Sequence, residues 1–143
     1  MFSSATPGHF GRLQSPNLYR RMAAETGVAD AGPHRLVTML FDGFIDALAE
    51  ARGAMRERDI ERKGRVINRA VRIVEEGLRA GLDLRAGGVL AADLDRLYRY
   101  IGLRLVQANL RNDEAILDEC QGLVQPLRDA WEAIAPSHAR KPA

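Results

Sequence analysis

The stretch LDRLYRYIGLRLVQANLRND, Leu94 to Asp113, decides the fold. At 3.6 residues per turn, Leu94, Leu97, Tyr98, Ile101, Leu105 and Ala108 gather within about 100° of one another, the width of one buried stripe. A second apolar group, Leu103, Val106 and Leu110, lies well away from the first and is interleaved with Arg96, Arg99 and Arg104. One stripe buries the helix in its own domain. The other is left over, and a helix with two apolar faces either sits inside a larger protein or offers one face to a partner.

The segments on either side repeat the helical pattern. Upstream, Val37, Phe41, Phe44, Leu48, Ala51 and Met55 alternate spacings of four and three, which predicts a helix from Pro33 to about Arg56 with Leu36, Leu40 and Ala47 widening its seam. Pro33 suits the first helical position, with Gly32 or Asp30 as the preceding cap. After a short polar link, Asp59 caps a second helix to about Ala80, whose seam is Ile60, Gly64, Ile67, Val71, Val74 and Leu78. That helix also has a leftover line, Val66, Ala70, Ile73 and Gly77, in which the small members admit close approach of another helix. The loop Gly81 to Gly88 reverses the chain into a third helix from about Val89. Asn112 and Asp113 open a fourth, with Ile116, Cys120, Leu123, Leu127, Ala130 and Ile134 as its seam, Leu117, Val124 and Trp131 broadening it, and Pro126 kinking it. Four helices joined by short links predict an all-α, antiparallel four-helix bundle over residues 33–135. Ser-, Gly- and Pro-rich residues 1–15 read as a flexible tail, 16–32 as a segment leading into the bundle, and 136–143 as a second flexible tail.

Composition narrows the function classes. The 143 residues carry 21 basic and 19 acidic side chains, net +2, so the surface is expected to be mixed and no nucleic-acid preference follows. The single cysteine, Cys120, rules out an internal disulfide and suits a reducing compartment. The first residues lack the basic start and apolar run of a secretory signal, and no stretch approaches the ~18 apolar residues of a membrane span. A cytoplasmic location without membrane insertion is expected.

Catalytic readings find little to stand on. A di-iron bundle needs Glu-x-x-His pairs, and neither His9, His34 nor His138 has Glu at that spacing. Cys120 falls on a core position, where a small buried hydrophobe is the plain interpretation. Gly87 and Gly88 lack the Lys and Ser or Thr of a phosphate loop. His34 is the one candidate for a phosphotransfer bundle, yet it lies in a first helical turn. No catalytic residue, metal or cofactor is expected. From periodicity alone, the leftover lines fit a broader core as well as a partner surface.

Three segments, PHRLVTMLFDGFIDAL at Pro33 to Leu48, NRAVRIVEEGLRAGLD at Asn68 to Asp83 and LDRLYRYIGLRLVQANLRND at Leu94 to Asp113, resemble in order and spacing the flagellar export chaperone family FliS, with Trp131 closing the last helix. The resemblance runs from Tyr19 to about Trp131. It implies a small cytoplasmic bundle that binds the C-terminal segment of flagellin, prevents premature polymerisation and docks on the export gate protein FlhA; a homodimer is allowed for. It also implies that a segment containing Tyr19 covers part of the binding groove when flagellin is absent, which makes residues 16–32 a capping segment and loop ahead of the bundle. Two departures stand out. Gly32 replaces the Ser common before the first-helix proline, and the tail before Tyr19 is longer and richer in Gly and Pro. Residues expected at the partner surface are Tyr19, Val66, Ala70, Ile73, Gly77, Leu103, Val106 and Leu110. The main alternative is a helical adaptor or secretion regulator that binds some other amphipathic helix.

Overall fold

The computed structural model describes residues 32–135; the tails, Tyr19 and nearly all of the capping segment lie outside the described residues. Four helices fill this range: α1, Pro33–Arg56; α2, Ile60–Arg72, continued without a break as a π-helical turn Ile73–Arg79; α3, Leu84–Arg111; and α4, Glu114–Ala133. There is no strand among the described residues. Each helix packs on its chain neighbours and α1 closes on α4, so the four form an antiparallel ring around one core.

Local chemistry sets the ends. Asp59 accepts from the Arg62 amide at 3.1 Å, Asp83 from the Ala86 amide at 3.1 Å, and Asp113 from the Ala115 amide at 2.9 Å, each satisfying one orphan donor of a first turn. Helix α1 has only Gly32 there, with no side-chain cap. Its Pro33, at the first helical position, has no amide to leave unsatisfied. The left-handed backbone of Asn112, at φ 53°, ends α3 and turns the chain into α4.

The first-helix seam is in the core as expected: Val37, Phe41, Phe44, Leu48, Ala51 and Met55 are all buried. Three details differ from the sequence reading. Helix α3 begins at Leu84, capped by Asp83, which shortens the expected loop; Gly88, at φ 59° and ψ −138°, interrupts it and offsets the first turn. In α2 the buried line is Val66, Ile67, Ala70, Val74, Gly77 and Leu78, whereas Ile60 is 75% exposed. The core therefore lies between the two lines distinguished by spacing, and the wider π turn, with its i→i+5 pattern, shifts the register by about one residue from Ile73 onward. In α4 the broadening residues Leu117, Val124 and Trp131 are buried with Ile116 and Cys120, while Leu123, Leu127 and Ile134 pack at the margin. A 3.6-residue turn drifts by ~20° per heptad from a strict four-three seam, which moves the buried line in just this way.

Candidate functional site

The described surface is apolar on one side only. Its exposed large hydrophobic residues are Ile60 on α2 and Leu84, Val89, Leu90, Tyr100, Leu103, Val106 and Leu110 on α3; α1 and α4 contribute none. Leu103, Val106 and Leu110 are 60%, 46% and 80% exposed, while Leu94, Tyr98, Ile101, Leu105 and Ala108 on the opposite face of α3 are buried. The two faces expected from the sequence are thus physically separate.

This ridge stands beside α2. Lys63 on α2 donates to the Asn109 carbonyl and the Asn112 side chain, each at 3.1 Å, and Arg79 donates to Asp95 at 2.9 Å, which fixes the antiparallel register of the pair. At ~100° per residue, Ile60, Gly64 and Val71 then fall on the edge of α2 turned toward Val106 and Leu110. Gly64 leaves open space where a side chain would stand. The result is one apolar strip of exposed and half-buried residues along the α2/α3 seam. Farther along this seam α2 and α3 come very close, since a Cβ on Gly102 would lie 2.7 Å from a Glu75 carboxylate oxygen; α2 also approaches α1, where a Cβ on Gly77 would lie 2.8 Å from Leu40.

The expected partner residues divide accordingly. Leu103, Val106 and Leu110 lie together on the surface. Val66 and Ala70 are in the core at 1% and 0% exposure, Gly77 is buried against Leu40, and Ile73 is half-buried beside Gly43. Gly77 does admit close approach, but by Leu40 on α1 of the same chain. This corrects the expectation that α2 leaves an apolar line uncovered by its own bundle. Spacing alone assigns Ile60, Gly64 and Val71 to an internal seam; the signal that places Ile60 outside is its position immediately after the Asp59 cap, too near the end of α2 to be covered. Lys63 carried no apolar signal at all.

Other titratable groups serve the frame. His34 stacks on Trp131 with ring centroids 4.6 Å apart; its Nε2 donates to the Trp131 carbonyl at 2.6 Å, and the indole N–H donates to the His34 carbonyl at 2.9 Å. That clasp binds the start of α1 to the end of α4. Tyr100 and Arg104 on α3 both donate to Glu119 on α4, at 2.5 and 2.9 Å, which holds the Glu119 carboxyl below its usual range and raises the Tyr100 phenol above its own. Burial pushes the Cys120 thiol up to about 12, so no thiolate nucleophile forms near neutrality. Among the described residues no cluster of His, Cys, Asp and Glu is placed to hold a metal ion, and no helix is long and apolar enough to cross a membrane.

With the bundle and its one-sided ridge established, comparison with known proteins supplies the lineage. The family model "Flagellar protein FliS" matches residues 15–138. The chain belongs to the FliS family. It is 42% identical over 118 residues to the flagellar secretion chaperone FliS of Salmonella typhimurium, covering 82% of this chain and 87% of the relative. To the flagellar secretion chaperone FliSB of Pseudomonas aeruginosa it is 44% identical over 123 residues, 86% of this chain and 97% of the relative. A more distant FliS chaperone, from Bacillus subtilis, is 33% identical over 116 residues, with coverages of 81% and 85%. The family match spans the whole described bundle, ridge included, and the family is one of chaperones.

Proposed function

We propose that this chain is a cytoplasmic export chaperone that binds the C-terminal segment of flagellin, keeps it from polymerising and delivers it to the flagellar export apparatus through FlhA. The observation that carries the reading is the exposed line Leu103, Val106 and Leu110 on a bundle whose core is complete without it. An apolar line of this length suits an amphipathic helix laid along a groove. Flagellin assembles through apolar helix faces at its ends, and a chaperone must cover such a face reversibly.

The magnitudes are compatible with handover. Fully burying a Leu or Val side chain contributes about 1.5–3 kcal/mol. Folding a disordered client on binding costs about 2–5 kcal/mol of the gross interaction. Burial of the three ridge residues together with Ile60 is enough to offset that cost. The segment around Tyr19 would compete for the same ridge before the client arrives, lowering its apparent affinity by the fraction of molecules so covered.

Calorimetric titration with a peptide covering the last helices of flagellin tests the reading. The wild-type chain is expected to bind with a negative heat-capacity change, as burial of apolar surface requires. The Leu103→Asp, Val106→Asp double variant is expected to stay helical and lose binding. Unchanged binding in that folded variant would remove the ridge from the site, and no binding by the wild type would remove flagellin as the client.

A further inference from the structure

The formal charge of this chain is nearly balanced, but its two halves are not. Residues 58–112, which form α2 and α3, hold twelve Lys or Arg against seven Asp or Glu, a net of +5; residues 32–57 and 113–135, which form α1 and α4, hold four against ten, a net of −6. Because α2 neighbours α3 and α1 neighbours α4, these are two opposite sides of the bundle. The apolar ridge stands on the basic side.

Much of the acidic charge on that side is already engaged. Asp59 and Asp83 turn onto backbone amides at the starts of their helices, and Glu75, Glu76, Asp93 and Asp95 pair with Arg79, Arg72, Arg96 and Arg99. Arg58, Arg65, Arg85 and Arg111 have no ion pair among the described residues, against Glu61 alone on the acidic side of the account. Arg99, paired with Asp95, shares the exposed face of α3 with the ridge, Arg111 follows Leu110 at the end of that helix, and Arg65 is exposed on α2.

We infer that the ridge selects an amphipathic helix whose apolar stripe is flanked by carboxylates, and that the acidic α1/α4 side turns such a client toward the ridge during encounter. This rests on the chaperone reading and specifies the chemistry of its client. Charge complementarity of this kind acts mainly on association rate and on the rejection of wrong partners. Leu103, Val106 and Leu110 supply the apolar contact, and the arginines decide which helix gets there.

Stopped-flow association of the full chain with the C-terminal flagellin peptide, at salt concentrations from about 0.05 M to 0.5 M, tests it, since such a range takes exposed charges from weak to nearly complete screening. The association rate is expected to fall about tenfold across that range. The same peptide with Asp and Glu changed to Asn and Gln should lose most of that dependence. Arg65→Gln with Arg111→Gln should slow association several-fold at low salt and leave dissociation nearly unchanged. A neutralised peptide that binds as fast and with the same salt response would overturn the inference while leaving the chaperone reading intact. If the native peptide does not bind at all, the client reading fails, and a designed amphipathic helix in acid-flanked and lysine-flanked versions decides the charge question: equal or faster binding of the lysine-flanked version overturns it.

Discussion

The α1/α4 side and the α2/α3 side of this bundle are built from the same kind of helix and close in opposite ways. Between α1 and α4, side chains reach across the seam at several levels: Arg52 to Asp118 at 2.8 Å, Arg56 to Glu114 at 2.9 Å, Arg128 to Asp42 at 2.9 Å, and the His34–Trp131 clasp at the end. No large hydrophobic residue is left exposed on either helix. Between α2 and α3 the links are fewer, chiefly Lys63 to Asn109 and Asn112 and Arg79 to Asp95, and the apolar side chains that a closed seam would cover stand in the open. One side is finished as a surface, whereas the other is finished only when something lies on it. That difference says where stability and where binding should reside, and each can be broken separately.

The largest effect is expected on the finished side. Trp131→Ala removes a buried aromatic ring, its stacking on His34 and the indole donor to the His34 carbonyl, and should destabilise the chain by about 3–5 kcal/mol. Urea unfolding followed by circular dichroism measures it. The fraction that remains folded should bind the flagellin peptide as the wild type does, because the ridge is on the other side. A selective loss of binding at unchanged stability would refute the division of labour.

The converse is the Leu103→Asp, Val106→Asp pair. Both residues are exposed in the free chain, so stability should move by about 0.5 kcal/mol or less per site. Client affinity should fall about a hundredfold or more, which corresponds to ~2.8 kcal/mol. Peptide titration and thermal unfolding of one preparation give both numbers. A drop in stability as large as the drop in binding would make these residues part of the frame.

How far the sequence reveals this division depends on the helix. In α1 and α3 the apolar residues are numerous enough for the buried arc to be read directly, and on α3 the separation of Leu103, Val106 and Leu110 from the seam corresponds to exposure in the structure. In α2 the same reasoning misplaces the core. Val66 and Ile67 are adjacent and both buried, so two lines drawn at four-three spacing describe the two edges of one stripe. The π turn at Ile73–Arg79 adds a register shift that no apolar pattern announces. The charge asymmetry was equally hidden, since a total of +2 reveals nothing of how charge divides between helix pairs until their neighbours are known. Residues whose role depends on a partner from another helix, such as Lys63 and Glu119, leave no local trace.

Lys63 gives the third prediction. It is buried apart from 8% of its surface and holds the last turn of α3 through the Asn109 carbonyl, where a cation also opposes the negative end of the helix dipole. Lys63→Met preserves the stem and removes both bonds, for an expected loss of about 1–2 kcal/mol. Amide exchange should quicken in the last turn of α3, around Leu110, more than in α1 or α4. Client affinity should weaken a few-fold, because the ridge end is less well held. Uniform exchange across the chain would mean that Lys63 supports the fold generally.

The smallest effect tests whether α3 is moored to the finished side through Glu119. Its carboxyl is held low by the donors Tyr100 and Arg104, so its folded value lies below its unfolded one. Stability from this group is therefore present above the ordinary carboxylate range and is lost as pH falls through the folded value. The Tyr100 phenol is raised by the same bond, so its contribution is present below the ordinary phenol range and is lost only as pH rises beyond it. The mooring should be whole at neutral pH and weaken first on acidification. Other carboxylates titrate too, so the quantity to follow is the difference between wild type and Glu119→Gln in urea midpoint: a small stabilising margin at pH 7 that closes as the pH is lowered through the acid range. A margin independent of pH would mean that the carboxylate's charge contributes nothing, and that α3 is held against α4 by packing alone.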